Sequence, residues 1–148
     1  MEALKGTVAS GLGRAHVFMS QEHYQNQFKK ILGSSAWPGT LNIEVSSNHL
    51  SSWNSYRVAS GLGDGPQDEQ IVSRFIRING FERQGRSFGG ANALHASLSH
   101  KKSSLDVVIL IPDLTRHVNV IEIISTVFLR EKLSLSDGDN VLVKIKSN

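Results

Sequence analysis

The 148-residue chain is long enough to bury the core of one domain, residues 1–148, and too short for two independently stable lobes. A hydrophobic fraction of 39% and a charged fraction of 20% exclude a disordered or fibrous chain, and the absence of cysteine excludes disulfides and thiolate metal sites. The net charge of +3 comes from scattered lysines and arginines, so we expect a solvated surface and no nucleic-acid partner.

The start of the sequence predicts a strand that enters a glycine loop. Residues 4–10 alternate apolar and polar side chains and then reach Gly11 and Gly13, a pattern typical of a strand followed by a tight loop. Residues 16–19 are predicted to resume a strand.

A helix and a second strand come next. The large apolar side chains of residues 21–32 fall on one helical face, with Ser20 as a candidate N-cap and Gly33 as a C-terminal cap. Residues 40–45 alternate polar and apolar side chains, which predicts a strand with one polar face.

The rest of the sequence predicts a long loop followed mainly by strands. Residues 46–68 are rich in Ser, Asn and Gly and indicate a long loop or insertion. Residues 128–133 predict one or two helical turns, and an Asp-Gly turn precedes a final strand over residues 141–145. Runs rich in β-branched residues predict strands at residues 74–78, 106–111 and 118–124.

These elements predict a mainly β fold. Several short strands, one main helix and no regular alternation of strand and helix favour a small closed barrel over a doubly wound sheet, with a sandwich as the alternative. The hexapeptide VASGLG occurs at residues 8–13 and again at residues 58–63. The flanking residues do not match, so the repeat is either chance or a trace of duplication.

Three polar residues are candidates for chemistry. Thr40 and Asn42 lie on one face of a predicted strand, where their neutral oxygens could bind magnesium or simply face solvent. Glu122 lies in an otherwise apolar strand, so its carboxylate needs either an arginine partner or a chemical task.

The glycine loop from Gly11 to His16 could present backbone N–H groups to phosphate, although two glycines after a strand are also typical of a plain turn. The sequence has no GxxxxGK[ST] motif, which excludes a P-loop kinase. The six histidines show no metal-ligand spacing.

Several segments together carry a family resemblance: SGLGRAHVFMS, KKILG, WPGTLNIEV, INGF, RSFGG and IEIISTVFLREKLSLSDGDNVLVKI. They resemble the archaeal CTP-dependent riboflavin kinases over most of the chain, and PGTLN followed by LREKL and DGD is specific in combination. The resemblance implies a cradle-loop barrel that binds CTP and riboflavin, uses magnesium, and yields CDP and FMN.

The resemblance also implies residue roles. Thr40 and Asn42 would ligate magnesium, and Thr115 and Glu122 would lie at the flavin, with Glu122 as the catalytic base for the ribityl 5′-hydroxyl. The nucleotide would contact two segments, Gly11, Leu12, Gly13, Arg14, Ala15 and His16 in the first and Val127, Phe128, Leu129 and Arg130 in the second.

The sequence shows no signal peptide and no apolar run of roughly 20 residues that could cross a bilayer. We therefore expect a cytoplasmic monomer with no membrane partner. The alternative function is a non-catalytic barrel that binds flavin, nucleotide or nucleic acid.

Overall fold

The structure is a computed structural model that describes residues 2–11 and 15–147. Strands dominate this part of the chain. They are β1 (Glu2–Ala9), β2 (Leu41–Val45), β3 (Ile76–Ile78), β4 (Phe81–Arg83), β5 (Arg86–Phe88), β6 (Ala91–His100), β7 (Ser103–Pro112), β8 (Val120–Ile124) and β9 (Asn140–Ile145).

The helices are short. They are α1 (Ala15–Met19), α2 (Glu22–Leu32), α3 (Leu50–Ala59), α4 (Glu69–Val72) and α5 (Leu129–Lys132), with a 3-10 turn at Ser47–His49 before α3. Within the described ranges, none of them has the length and apolar character needed to cross a bilayer.

Six strands close into an antiparallel barrel. Their order around the ring is β6-β7-β8-β2-β1-β9, and β9 pairs back onto β6 to complete the circle. β3 extends the sheet beside the first residues of β6, and β4 and β5 form a separate hairpin. The predicted mainly β closed barrel is therefore confirmed, and the sandwich alternative is not.

Apolar side chains fill the barrel and also cover part of its outside. The interior holds alternate residues of the six strands, such as Leu4, Ile43 and Val143, each fully buried. A second apolar cluster joins α1 and α2 to the outer faces of β6, β7 and β8. β7 is thus covered on both faces, which explains why residues 107–111 read as a continuous apolar run instead of an alternation.

Several local predictions are confirmed. The main helix is α2, and Gly33 ends it in the left-handed region at φ 84°. Strand β2, the helical turn α5 and the final strand β9 also form where the sequence places them. The predicted cap is wrong, because Gln21 is the N-cap residue of α2 and the hydroxyl of Ser20 instead donates to the carbonyl of Val17.

The loop predicted at residues 46–68 is wrong. It contains α3, whose Trp53 and Tyr56 are buried in the barrel core. The Ser and Asn residues that suggested a loop occupy the solvent-facing side of this helix, while the two aromatic residues, three apart, share its buried side. Helix α3 therefore contributes side chains to the barrel core.

The strand predicted at residues 16–19 is also wrong. This segment belongs to α1, which buries Met19 against the outer cluster while Val17 is 60% exposed. The β-branched valine, which favoured a strand, faces solvent and therefore gains nothing from burial in a sheet.

Strands β4, β5 and β6 were not predicted. β6 is rich in Ala, Ser and His, which have little preference for strands, and it forms because β7 and β9 pair with it along both edges. The predicted strand over residues 74–78 is limited to β3.

The repeated hexapeptide takes two different structures. Val8 and Ala9 are extended in β1, whereas Val58 and Ala59 end helix α3. Among the residues that the structure describes, the two copies therefore differ in local structure, which gives no support to duplication.

Trp53 offers a test of α3 as a core element. Trp53→Ala should lower the free energy of unfolding by about 3–5 kcal/mol, because a fully packed aromatic side chain is lost. Ser51→Ala, at an exposed position of the same helix, should change it by no more than about 0.5 kcal/mol. Urea unfolding of both variants measures these free energies. Equally small effects of the two substitutions would contradict the role of α3 as a core element.

Candidate functional site

The pairing of β2 with β8 brings the predicted site residues together. Asn42 lies opposite Glu122 in the antiparallel register, and Leu41 lies opposite Ile123. Leu41 and Ile123 point into the barrel, so Asn42 and Glu122 project side by side from its outer face. The Thr40 hydroxyl donates to the Asn42 side-chain oxygen at 3.1 Å.

A cavity of about 220 Å³ lies over this outer face, between the barrel and helices α1 and α2. We call it the helix-side cavity. Thr40 and Glu122 contribute polar groups to its wall. The rest of the lining is largely apolar and aromatic, including Phe18, Met19, Tyr24, Phe28, Leu110 and Pro112. This combination is typical of a small-molecule site.

A second, smaller cavity of about 60 Å³ lies at the ends of β2 and β8, and we call it the strand-end cavity. Trp37 and Phe128 stack beside it with ring centroids 5.0 Å apart, and both are substantially exposed. Thr40 lines this cavity as well as the helix-side cavity. Thr40 is therefore the point at which the two cavities meet.

The predicted nucleotide segment 127–130 borders the strand-end cavity with all four of its residues. Leu129 also packs into the barrel core, which anchors the segment. Arg130 donates to Asp137 at 2.7 Å and to the carbonyl of Ala9 at 3.3 Å. These bonds hold the segment next to the end of β1, where the glycine loop begins.

The first glycine of that loop lies against Asn42. A β-carbon on Gly11 would collide with the side-chain amide nitrogen of Asn42, so a larger residue at position 11 would displace the Asn42 side chain. Ala15 lines the helix-side cavity. The predicted phosphate contacts of Leu12, Gly13 and Arg14 lie outside the described residues, as does the side chain of His16.

Thr115 does not line the helix-side cavity. Thr115 and Glu122 line a third cavity of about 10 Å³ together with His117, and we call it the rear cavity. Glu122 thus forms part of the wall between the rear and helix-side cavities.

Burial governs the charge of Glu122. It raises the pKa of the Glu122 carboxyl above its ordinary value, and the nearby His117 opposes this effect. The alternative that Glu122 forms an ion pair with an arginine is not supported. No arginine or lysine of the described chain forms a salt bridge with Glu122. A partly buried carboxyl with a raised pKa is a candidate for proton transfer.

Comparison with known proteins places the chain in a family. Residues 8–145 match the family model described as "CTP-dep_RFKase: Domain of unknown function DUF120". The chain belongs to this family. The matched range contains Gly11, Thr40, Asn42 and Glu122, so the whole candidate site lies within the family domain.

Relatives named riboflavin kinase occur in several archaea. The chain is 32% identical to those of Thermoplasma acidophilum and Methanosarcina acetivorans, over 96% and 97% of its own length, and spans 56% and 53% of theirs. It is 34% identical to that of Saccharolobus solfataricus and spans 73% of it. The chain therefore covers just over half the length of the first two relatives.

The sequence pattern does not reveal the residues that shape the cavities. Trp37, Phe18 and Tyr24 each line a cavity, but a tryptophan before a turn and aromatic residues near a helix are typical of an ordinary core. The exposure of Trp37, 45%, distinguishes it from a core residue only once the structure is known.

The raised pKa of Glu122 predicts how its substitution affects stability. Folding raises this pKa, so ionised Glu122 disfavours the folded state as pH rises through the folded-state pKa, and the effect is absent below the unfolded-state pKa. Glu122→Gln should therefore raise the melting temperature at neutral pH, and the gain should vanish in acid.

Thermal melts in magnesium-free buffer from pH 3 to pH 8 measure this difference, with the exposed Glu44 of β2 providing the matched variant Glu44→Gln. A neutral-pH gain for Glu122→Gln that persists unchanged in acid would contradict a raised pKa.

Proposed function

We propose that the chain is a CTP-dependent riboflavin kinase that transfers the γ-phosphoryl group of CTP to the 5′-hydroxyl of riboflavin, giving FMN and CDP. The observation that carries the proposal is the position of Thr40 on the border of two cavities, with Asn42 beside it and Glu122 opposite Asn42. A phosphoryl donor on one side and an alcohol acceptor on the other would meet at these residues. The names of the relatives and of the family support the same reaction.

The helix-side cavity suits the flavin. Its volume of about 220 Å³ and its aromatic lining match a flat, largely apolar ring system. Glu122 lies in its wall, where the carboxylate could reach a hydroxyl of the ribityl chain. In the proposed orientation, the flavin ring lies between the barrel and helices α1 and α2, and the ribityl chain points toward β8.

The strand-end cavity suits the phosphate end of a nucleotide. Residues 127–130 and Thr40 both line it. Gly11, at the start of the glycine loop, lies against Asn42, two residues after Thr40. Backbone amides of the glycine loop would then bind the phosphates, as they do where glycine permits close approach.

The oxygens of Thr40 and Asn42 fit magnesium. They lie 3.1 Å apart, and adjacent ligands of an octahedral ion at about 2.1 Å from the metal are about 3 Å apart. When bound, magnesium would neutralise charge on the phosphate oxygens. Thr40 and Asn42 would hold it by neutral oxygens, with phosphate and water in the remaining positions.

Glu122 would act as the general base. Its carboxylate would accept the proton of the ribityl 5′-hydroxyl as that oxygen bonds to the γ-phosphorus and the bond to the bridging β-phosphate oxygen breaks. CDP then leaves with the bridging oxygen, and the proton remains on Glu122 until it is lost to solvent. A positioned base of this kind contributes about 10²- to 10⁴-fold to the rate.

The reaction can be tested directly. The protein is incubated with riboflavin, magnesium and each of the four nucleoside triphosphates in turn, and FMN is measured by chromatography. We expect FMN with CTP and little with the others. The absence of FMN with every donor, together with a melting-temperature shift on addition of DNA or RNA alone, would favour a non-catalytic nucleic-acid-binding module.

The base is tested by Glu122→Gln. The variant should lower kcat by about 10²- to 10⁴-fold with unchanged affinity for CTP, because the nucleotide does not need the carboxylate to bind. Glu44→Gln, on the exposed part of β2, should retain wild-type kcat. Full activity of Glu122→Gln would exclude Glu122 as the base.

A further inference from the structure

Two buried donors on α3 lack hydrogen-bond partners. The indole N–H of Trp53 and the Nε–H of Arg57 are both buried, and neither has a partner within the part of the chain that the structure describes. Trp53 and Arg57 are four residues apart and share one side of the helix. Buried donors in folded proteins nearly always have a partner, and ordered water often supplies it.

Both residues line the rear cavity behind Glu122. Its volume of about 10 Å³ is about the space that one water molecule needs. Three further polar residues line it, namely Thr115, His117 and Glu122, and the rest of the lining is apolar. The cavity therefore combines room for one water with residues that can donate to it and a carboxylate that can accept from it.

We propose that Trp53 and Arg57 position Glu122 through a single water molecule in the rear cavity. The water oxygen accepts the two N–H groups from α3, and one of its hydrogens is donated to the Glu122 carboxylate. Its second hydrogen is directed at the hydroxyl of Thr115. All four hydrogen-bonding positions of the water are then used.

The geometry favours this role over direct contact with riboflavin. Trp53 and Arg57 do not line the helix-side cavity, and the rear cavity is too small for a ribityl hydroxyl group and its carbon. The water fixes the Glu122 carboxylate from behind while its other side faces the substrate. Trp53 and Arg57 are thus positioning residues, and this inference rests on the proposed role of Glu122 as base.

A double-mutant cycle tests the coupling. Trp53→Phe keeps an aromatic side chain, although a phenyl ring is smaller than the indole, and it removes the N–H. It should lower kcat by up to about tenfold with unchanged KM for riboflavin and CTP, the loss expected for one hydrogen bond to a water molecule. In the Glu122→Gln background the same change should have almost no further effect, because the group being positioned is already gone. Arg57→Met, which retains the aliphatic stem, should follow the same pattern and serves if Trp53→Phe does not fold.

Tyr56→Phe is the matched control. It removes a buried hydroxyl from the same helix, but that hydroxyl donates to Glu2, away from the rear cavity. It should leave kcat as in the wild type. Equal losses of kcat for Trp53→Phe in both backgrounds, or a rise in KM for riboflavin alone, would overturn the proposal.

A high-resolution crystal structure provides a test that needs no activity. It should show one water within about 2.7–3.2 Å of Trp53 Nε1, Arg57 Nε and a Glu122 carboxylate oxygen. A dry rear cavity would overturn the inference even if the protein makes FMN. Conversely, if the water is present but the protein makes no FMN, the hydrogen-bond network is confirmed and only the proposed function is refuted.

Discussion

The antiparallel pairing of β2 with β8 is the constraint on which the candidate site depends. It places Asn42 opposite Glu122 and thereby puts a neutral amide and a partly buried carboxyl on the same outer face of the barrel. A shift of register by one residue would turn one of these side chains into the barrel, so the apolar interior fixes the site as firmly as it fixes the fold. The fully buried Ile43 and Ile123, each next to a site residue in sequence, enforce this register.

Because the barrel is apolar on both faces near β7, a largely apolar cavity can form on its outside. Helices α1 and α2 cover the outer face and leave a space that has Glu122 in its wall. The hairpin of β4 and β5 contacts both helices, with ring centroids 5.2 Å apart between Phe81 and Tyr24 of α2 and 6.3 Å apart between Phe88 and Phe18 of α1. The hydroxyl of Tyr24 donates to the carbonyl of Gly89 at 2.6 Å and links α2 to the chain after the hairpin.

The sequence predicted what depends on local pattern and missed what depends on distant contacts. The alternation in β2 identified Thr40 and Asn42 as neighbours on one face, and the isolated charge in β8 identified Glu122 as a residue that needs either an arginine partner or a chemical task. That these residues lie next to each other follows from strand pairing, which a single sequence does not record. Helix α3 was missed for a related reason, since its polar residues resemble a loop and its two aromatic residues gain significance only through burial in the barrel. The proposed substrates came from the resemblance to a family. The shape of the pocket that selects a substrate depends on residues from several distant segments, and no single motif in the sequence specifies it.

The most direct test of the account is the magnesium dependence of nucleotide binding by the Asn42→Ala variant, measured by titration calorimetry with CTP. The wild-type protein and Asn48→Ala, a matched change at an exposed asparagine after β2, should bind CTP more tightly when magnesium is added. Asn42→Ala should lose most of that gain while it retains metal-free binding, because one of the two neutral oxygen ligands is gone. An unchanged gain in Asn42→Ala would contradict a metal-dependent phosphoryl-transfer site on the outer face of β2 and β8.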